Sequence, residues 1–71
     1  MINNVTIVRS EERRSLNRTV WEGEMETVPE AGDLIGIHHG EGVVQTWVVE
    51  SRSLEILPER QWWILTVEHS L

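Results

Sequence analysis

Apolar side chains gather in short runs cut by Pro, Gly and polar clusters, and over residues 18–28 they recur at every second position. That period belongs to strands with one packed face and one wet face. No window of twelve or more residues carries a clean helical period, Ala occurs once, and Val, Ile, Thr and Trp are plentiful. β-Branched and aromatic residues suit a pleated, half-buried surface. Residues 2–9 predict a first strand. Residues 10–17, Ser-Glu-Glu-Arg-Arg-Ser-Leu-Asn, read as a loop or as one helical turn with Ser10 as N-cap. So short a helix is marginal, which favours the loop. Residues 18–28 alternate, with Trp21, Gly23, Met25 and Thr27 on one face and Glu22, Glu24 and Glu26 on the other. In Pro29-Glu30-Ala31-Gly32-Asp33, Pro fixes φ and Gly admits a positive φ, which predicts a turn. Residues 34–38 predict a third strand, His39-Gly40-Glu41-Gly42 a hairpin loop, and residues 43–53 a long fourth strand. Residues 54–57 continue that strand after a bend or stand alone. Pro58-Glu59-Arg60 is a turn, and residues 61–69 form the last strand.

Five or six strands with short turns, and no helix long enough to cover a sheet, must bury one face on another sheet or close on themselves. The expected fold is all-β: a small antiparallel, strongly bent five- or six-stranded barrel in the SH3-like or OB-like range. A two-layer sandwich is the alternative. With 71 residues and 8.2 kDa the chain is a single domain. Such a chain buries only about 60% of the surface its unfolded form exposes, so one core supplies a few kcal/mol at most.

Charge and composition narrow the chemistry. Cysteine is absent, which excludes disulfides, thiolate chemistry and zinc-finger ligand sets and suits a reducing cytoplasm. No run of 18 apolar residues is long enough to span a membrane as a helix, and the first residues lack the basic and apolar regions of a signal peptide. The net charge is −6, from twelve acids, eleven of them Glu, against six Arg and no Lys. Direct nucleic-acid binding is not expected of such a balance; a partner with a positive surface is. The charge is uneven: residues 9–18 hold Arg9, Arg13, Arg14 and Arg18 against Glu11 and Glu12, a basic corner on an acidic body.

The segment Val28-Pro29-Glu30-Ala31-Gly32-Asp33-Leu34-Ile35 leads into a Gly-containing hairpin and then a Trp47-Val48-Val49 strand. Over residues 28–67 this resembles small β-barrel proteins encoded by phages and mobile elements, in which a Pro-x-x-Gly-Asp turn opens a meander. The resemblance implies architecture and a phage or mobile-element setting. It carries no catalytic residue to this chain.

Two features stand out as candidate sites. Glu22, Glu24 and Glu26 share a strand face at roughly 6.6–6.8 Å intervals, a pitch close to that of phosphates along a nucleic-acid strand. They form either a row that imitates a nucleic-acid backbone or a solvated face that keeps the protein apart from its neighbours. The second feature is Trp, which supplies every aromatic ring. Trp63, Leu65 and Val67 share one face of the last strand and Trp62 and Ile64 the other, while Trp47 and Val49 oppose Val44 and Val48. Strands apolar on both faces exceed what one small core can absorb, so Trp62, Ile64 and Trp47 are read as an interface, with a second copy as one occupant.

Other chemistry finds little footing. His38 and His39 are adjacent on a strand and point to opposite faces, and His69 lies near the end, so no metal site is expected. No Gly-x-Ser-x-Gly elbow and no phosphate-binding Gly loop occurs. No cofactor and no catalysis are expected. The function expected is non-enzymatic binding: inhibition or modulation of a host nucleic-acid-handling or defence protein, in the host cytoplasm, through the acidic β-face. Two alternatives stand beside it. One is an oligomer that sequesters a nucleotide-like ligand by stacking on Trp, with Arg13, Arg14 or Arg18 holding phosphate; the other is a structural subunit of a larger particle.

Overall fold

Each apolar run becomes a strand. The computed structural model describes residues 2–10 and 19–70. Its elements are β1 (Asn3–Arg9), β2 (Thr19–Met25), β3 (Leu34–His38), β4 (Val44–Ile56) and β5 (Gln61–His69), with no helix among the described residues. The loop or helical turn expected over residues 10–17 lies outside the described residues, apart from Ser10. Residues 54–57 do not form a sixth strand. Residues through Ile56 stay paired with β5, so β4 is one 13-residue strand.

The strands form one sheet in the order β2-β1-β5-β4-β3, strongly curled into a half-barrel. The all-β, strongly bent architecture expected from the pattern is therefore present. One pair departs from the antiparallel expectation: β1 and β5 run parallel, Val5 beside Trp63 and Ile7 beside Leu65. Tight turns force antiparallel neighbours, but the first and last strands have nearly the whole chain between them, so no turn dictates their direction. Joining them leaves β2 and β3 as the two free edges.

The concave face holds the core. Val5 and Ile7 of β1, Trp47 and Val49 of β4, Leu65 and Val67 of β5, and Val28 are buried, with Trp21, Met25, Ile35, Ile37 and Trp63 packed against them. The inward parity of β4 changes along its length. Val49 pairs with Val67, but the next register partners are Ser51 with Thr66 and Arg52 with Leu65, so Glu50 is an extra residue in a β-bulge. Before it, odd residues point inward. Beyond it, Arg52 and Leu54 share the concave face with Leu65 and Trp63, while Ser53 and Glu55 turn to the convex side.

β2 ends at Met25, three residues earlier than its alternation suggests. Its partner β1 begins at Asn3, the register mate of Met25, so nothing remains to pair with. The Asn3 side chain closes this end, its Nδ2 donating to the carbonyls of Met25 at 3.3 Å and Glu26 at 3.1 Å. The chain then crosses the concave side and buries Val28. Arg52 holds the crossing segment: its Nη1 donates to the Val28 carbonyl at 3.2 Å, its Nη2 lies 3.5 Å from Glu30, and its guanidinium stacks 5.0 Å from the Trp63 ring. The expected turn at 29–33 is closed by Asp33, whose N–H donates to the Glu30 carbonyl and whose Oδ2 accepts from the Glu30 N–H. Gly32 in that turn has φ 95°, a conformation that an L side chain strains to reach.

Trp21 folds back along β2 over Gly23. A Cβ at position 23 would lie 2.6 Å from Trp21 Cη2 and 2.7 Å from Cζ2. Gly23→Ala is therefore expected to push the indole off its seat and cost about 1–3 kcal/mol, the usual range for overpacking. Urea denaturation with the Trp21 indole NMR resonance checks this; an unchanged resonance and unchanged stability would mean that the ring does not rest on Gly23.

Candidate functional site

The convex face of β2, β1 and β5 brings two of the candidate features together. Register places Glu22 beside Thr6 and Glu24 beside Asn4; Thr6 in turn lies beside Ile64, and Asn4 beside Trp62. Both Glu side chains are exposed, and Trp62 and Ile64 are half-buried. Hydrogen bonds join the groups. Trp62 Nε1 donates to Thr6 Oγ1 at 2.6 Å, and Thr6 Oγ1 donates to Glu22 Oε2 at 3.3 Å. A ring that would otherwise turn freely on a convex surface is thus fixed by its polar edge. Arg60 stacks on the same ring, 4.9 Å from its centroid.

Two candidate residues do not belong to this face as the sequence pattern placed them. Glu26 lies beyond the end of β2, in a bend, so the strand-borne acidic row has two members. Trp47 is on the opposite, concave side and only 3% exposed, with His69 edge-on at 4.9 Å and Arg9 over its ring at 5.6 Å. It is a core residue and shares no surface with Trp62 and Ile64. Inward parity in the first half of β4 decides this, because Trp47 aligns with Val49. Arg13, Arg14 and Arg18, the candidate phosphate-holding residues, lie outside the described residues.

One residue joins the face that its own strand pattern would have hidden. Glu55 pairs with Trp62 from the β4 side, so the row Glu24–Asn4–Trp62–Glu55 crosses four strands. At about 4.8 Å per strand the backbone positions of the two Glu stand roughly 14–15 Å apart along the sheet, on either side of Trp62. The signal was present in the sequence: apolar residues of β4 occupy odd positions at Trp47 and Val49 and even positions at Leu54 and Ile56, and such a shift implies a bulge between them.

The histidines are placed singly. His38 is exposed at the end of β3, His39 Nε2 hydrogen-bonds to Gln45 Oε1 at 2.8 Å, and His69 packs on Trp47. Among the described residues no three of His, Asp and Glu come together as a ligand set.

The concave side opens between the free edges. A groove of about 310 Å³ runs between Trp21 and Met25 of β2 and Ile35, Ile37 and His38 of β3, with Ile7 beneath it. Among the described residues its walls are mostly apolar and carry no carboxylate or guanidinium.

No known protein family, curated protein or solved structure matches the chain.

Proposed function

We propose that this chain is a non-enzymatic binding protein that presents its acidic convex face to a positively charged region of a protein partner. What carries the reading is the grouping of exposed Glu22 and Glu24 around a Trp62 ring oriented by hydrogen bonds to Thr6. An oriented aromatic ring supplies contact area at low entropic cost, and carboxylates beside it attract and align Arg or Lys. The net charge of −6 supports the same sign of partner. The setting we infer is inhibition or modulation of a host nucleic-acid-handling or defence protein in the host cytoplasm by a phage- or mobile-element-type protein. The resemblance across residues 28–67 supports that setting. The test is parallel capture from a host lysate on the parent protein and on the Glu22→Gln/Glu24→Gln variant, with DNA as competitor. A protein retained by the parent, lost from the variant and displaced by DNA is the expected result. Equal retention on both would leave the two carboxylates as a solubilising surface.

We also propose that the chain self-associates. Beyond the β4 bulge, Leu54, Ile56 and Leu57 are 39%, 73% and 42% exposed, a contiguous apolar end that one copy leaves uncovered. The convex face is a poor place for a second copy, since Glu22, Glu24 and Glu55 would meet their own kind. Sedimentation equilibrium at micromolar concentration is expected to give a mass above 8.2 kDa, reduced by Ile56→Glu and unaffected by Trp62→Ala. A parent mass of one chain throughout that range would sink the idea.

A further inference from the structure

We propose that the seam between β2 and β3 takes up an extended peptide whose side chains alternate between apolar and basic, added as a strand to the free edge of β3. This rests on the reading that the acidic face meets a positive partner, and it names that partner's chemistry.

Backbone geometry identifies the groups on offer. In an antiparallel ladder, opposed residues alternate between hydrogen-bonded and non-hydrogen-bonded pairs. His39 N–H donates to the Val43 carbonyl and Val49 N–H to the Asp33 carbonyl, each at 2.9 Å. The hydrogen-bonded positions between these pairs are therefore Ile35 and Ile37, opposite Trp47 and Gln45. It follows that the N–H and C=O groups of Leu34, Gly36 and His38 point away from β4, along an edge that no other strand covers among the described residues. Edges are normally blunted by charge, Pro or a bulge. β3 has no Lys, Arg, Asp, Glu or Pro, and its register with β4 is unbroken. The opposite edge is different, because β2 carries Glu22 and Glu24.

Side-chain chemistry then specifies the occupant. A strand laid along β3 sends alternate side chains inward and outward. The inward ones enter the groove of about 310 Å³ bounded by Trp21, Met25, Ile35 and Ile37, which selects apolar residues of Val or Leu size. The outward ones emerge on the convex side and face β2 across the seam, where Glu22 and Glu24 stand. Opposite charges on neighbouring strands stabilise a pair and like charges destabilise it, which selects Lys or Arg. Main-chain bonds to an open edge supply affinity, and alternate pockets supply selectivity. A second copy of β3 brings no Lys or Arg to the two carboxylates, and each copy carries a net charge of −6.

The probe is a short synthetic peptide of alternating Val and Lys, compared with a block peptide of the same composition and with alternating Val and Glu. Titration calorimetry of the full chain is expected to rank the alternating Val–Lys peptide first. Gly36→Pro removes the central edge donor while sparing the β3–β4 ladder, and is expected to weaken binding about fivefold, equivalent to one hydrogen bond of roughly 1 kcal/mol. Gly36→Ala keeps the donor, and its Cβ would lie 3.6 Å from Val44 Cγ1, an ordinary contact; it is expected to bind like the parent. Amide hydrogen exchange on the parent needs no variant: the peptide should slow exchange at Leu34, Gly36 and His38. Unchanged exchange at those amides under saturating peptide, or Gly36→Pro binding as tightly as Gly36→Ala, overturns the proposal. If either occurs while Glu22→Gln/Glu24→Gln still weakens the Val–Lys peptide, the edge is wrong and the acidic-face reading stands. If the edge amides are protected equally by the Val–Lys and Val–Glu peptides, the acidic-face reading fails with the peptide's basic half. Protection that rises with protein concentration alone assigns the edge to a second copy and also overturns the proposal.

Discussion

Trp47→Ala is expected to abolish cooperative folding at ambient temperature. The ring is 3% exposed and bridges three strands, with Ile35 opposite it on β3 and His69 on β5. Truncating a buried Trp costs about 3–5 kcal/mol through lost transfer energy and the cavity left behind. A domain this small has about that much stability in total. Trp47→Phe is the informative companion. The indole Nε1 is buried without a hydrogen-bond partner among the described residues, so Phe gives up ring volume and no hydrogen bond, and removes a donor that burial penalises. It should unfold cooperatively, at a lower urea concentration than the parent but well above Trp47→Ala. Urea titration followed by far-ultraviolet circular dichroism reads both. A Trp47→Ala midpoint equal to the parent's would remove this ring from the core.

Replacing Glu22 and Glu24 by Gln is expected to weaken partner binding at least tenfold, on the order of 1.4 kcal/mol, while leaving the fold intact. Both side chains are exposed, and surface substitutions of this kind usually move stability by less than about 0.5 kcal/mol. The Thr6 hydroxyl keeps an acceptor, since the Gln amide oxygen occupies the place of Glu22 Oε2, so Trp62 should stay oriented. The loss is then one of charge. Exposed charges are screened beyond about 8 Å at physiological salt, so binding by the parent should weaken as salt rises, chiefly through a slower association rate. The variant should show a flatter salt dependence. Surface plasmon resonance against the captured partner across a salt series separates the two rates. A variant with the same association rate and the same salt slope would transfer the contact to Trp62 and Ile64 alone.

The strands and turns were legible in the sequence because a period of two, a Pro and a Gly are local signals. β3 spans the apolar run between its flanking turns, β5 likewise, and Gly32, Gly40 and Gly42 adopt the positive φ that suits a turn. The division of β2 into a packed face at Trp21 and Met25 and a wet face at Glu22 and Glu24 was equally plain. So was the opposition of Trp62 to Trp63, since adjacent strand residues must point to opposite sides. Local pattern could not say which face of one strand lies beside which face of another. Trp47 and Trp62 read alike as surplus rings; the pairing of β4 with β5 sent the first into the core and left the second on the convex side. β2 is shorter than its alternation because a strand ends where its partner ends, and Asn3 is remote from Met25 in the chain. The odd-to-even shift of apolar positions along β4 marks the bulge, but that Glu55 then stands beside Trp62 is decided by the β4–β5 register alone. The parallel union of β1 with β5 was beyond any local rule, and it is what leaves β2 and β3 unpaired with an apolar groove between them. Alternation fixes the two faces of a strand through steric geometry within a few residues, whereas neighbours and edges are chosen by burial summed over the whole chain.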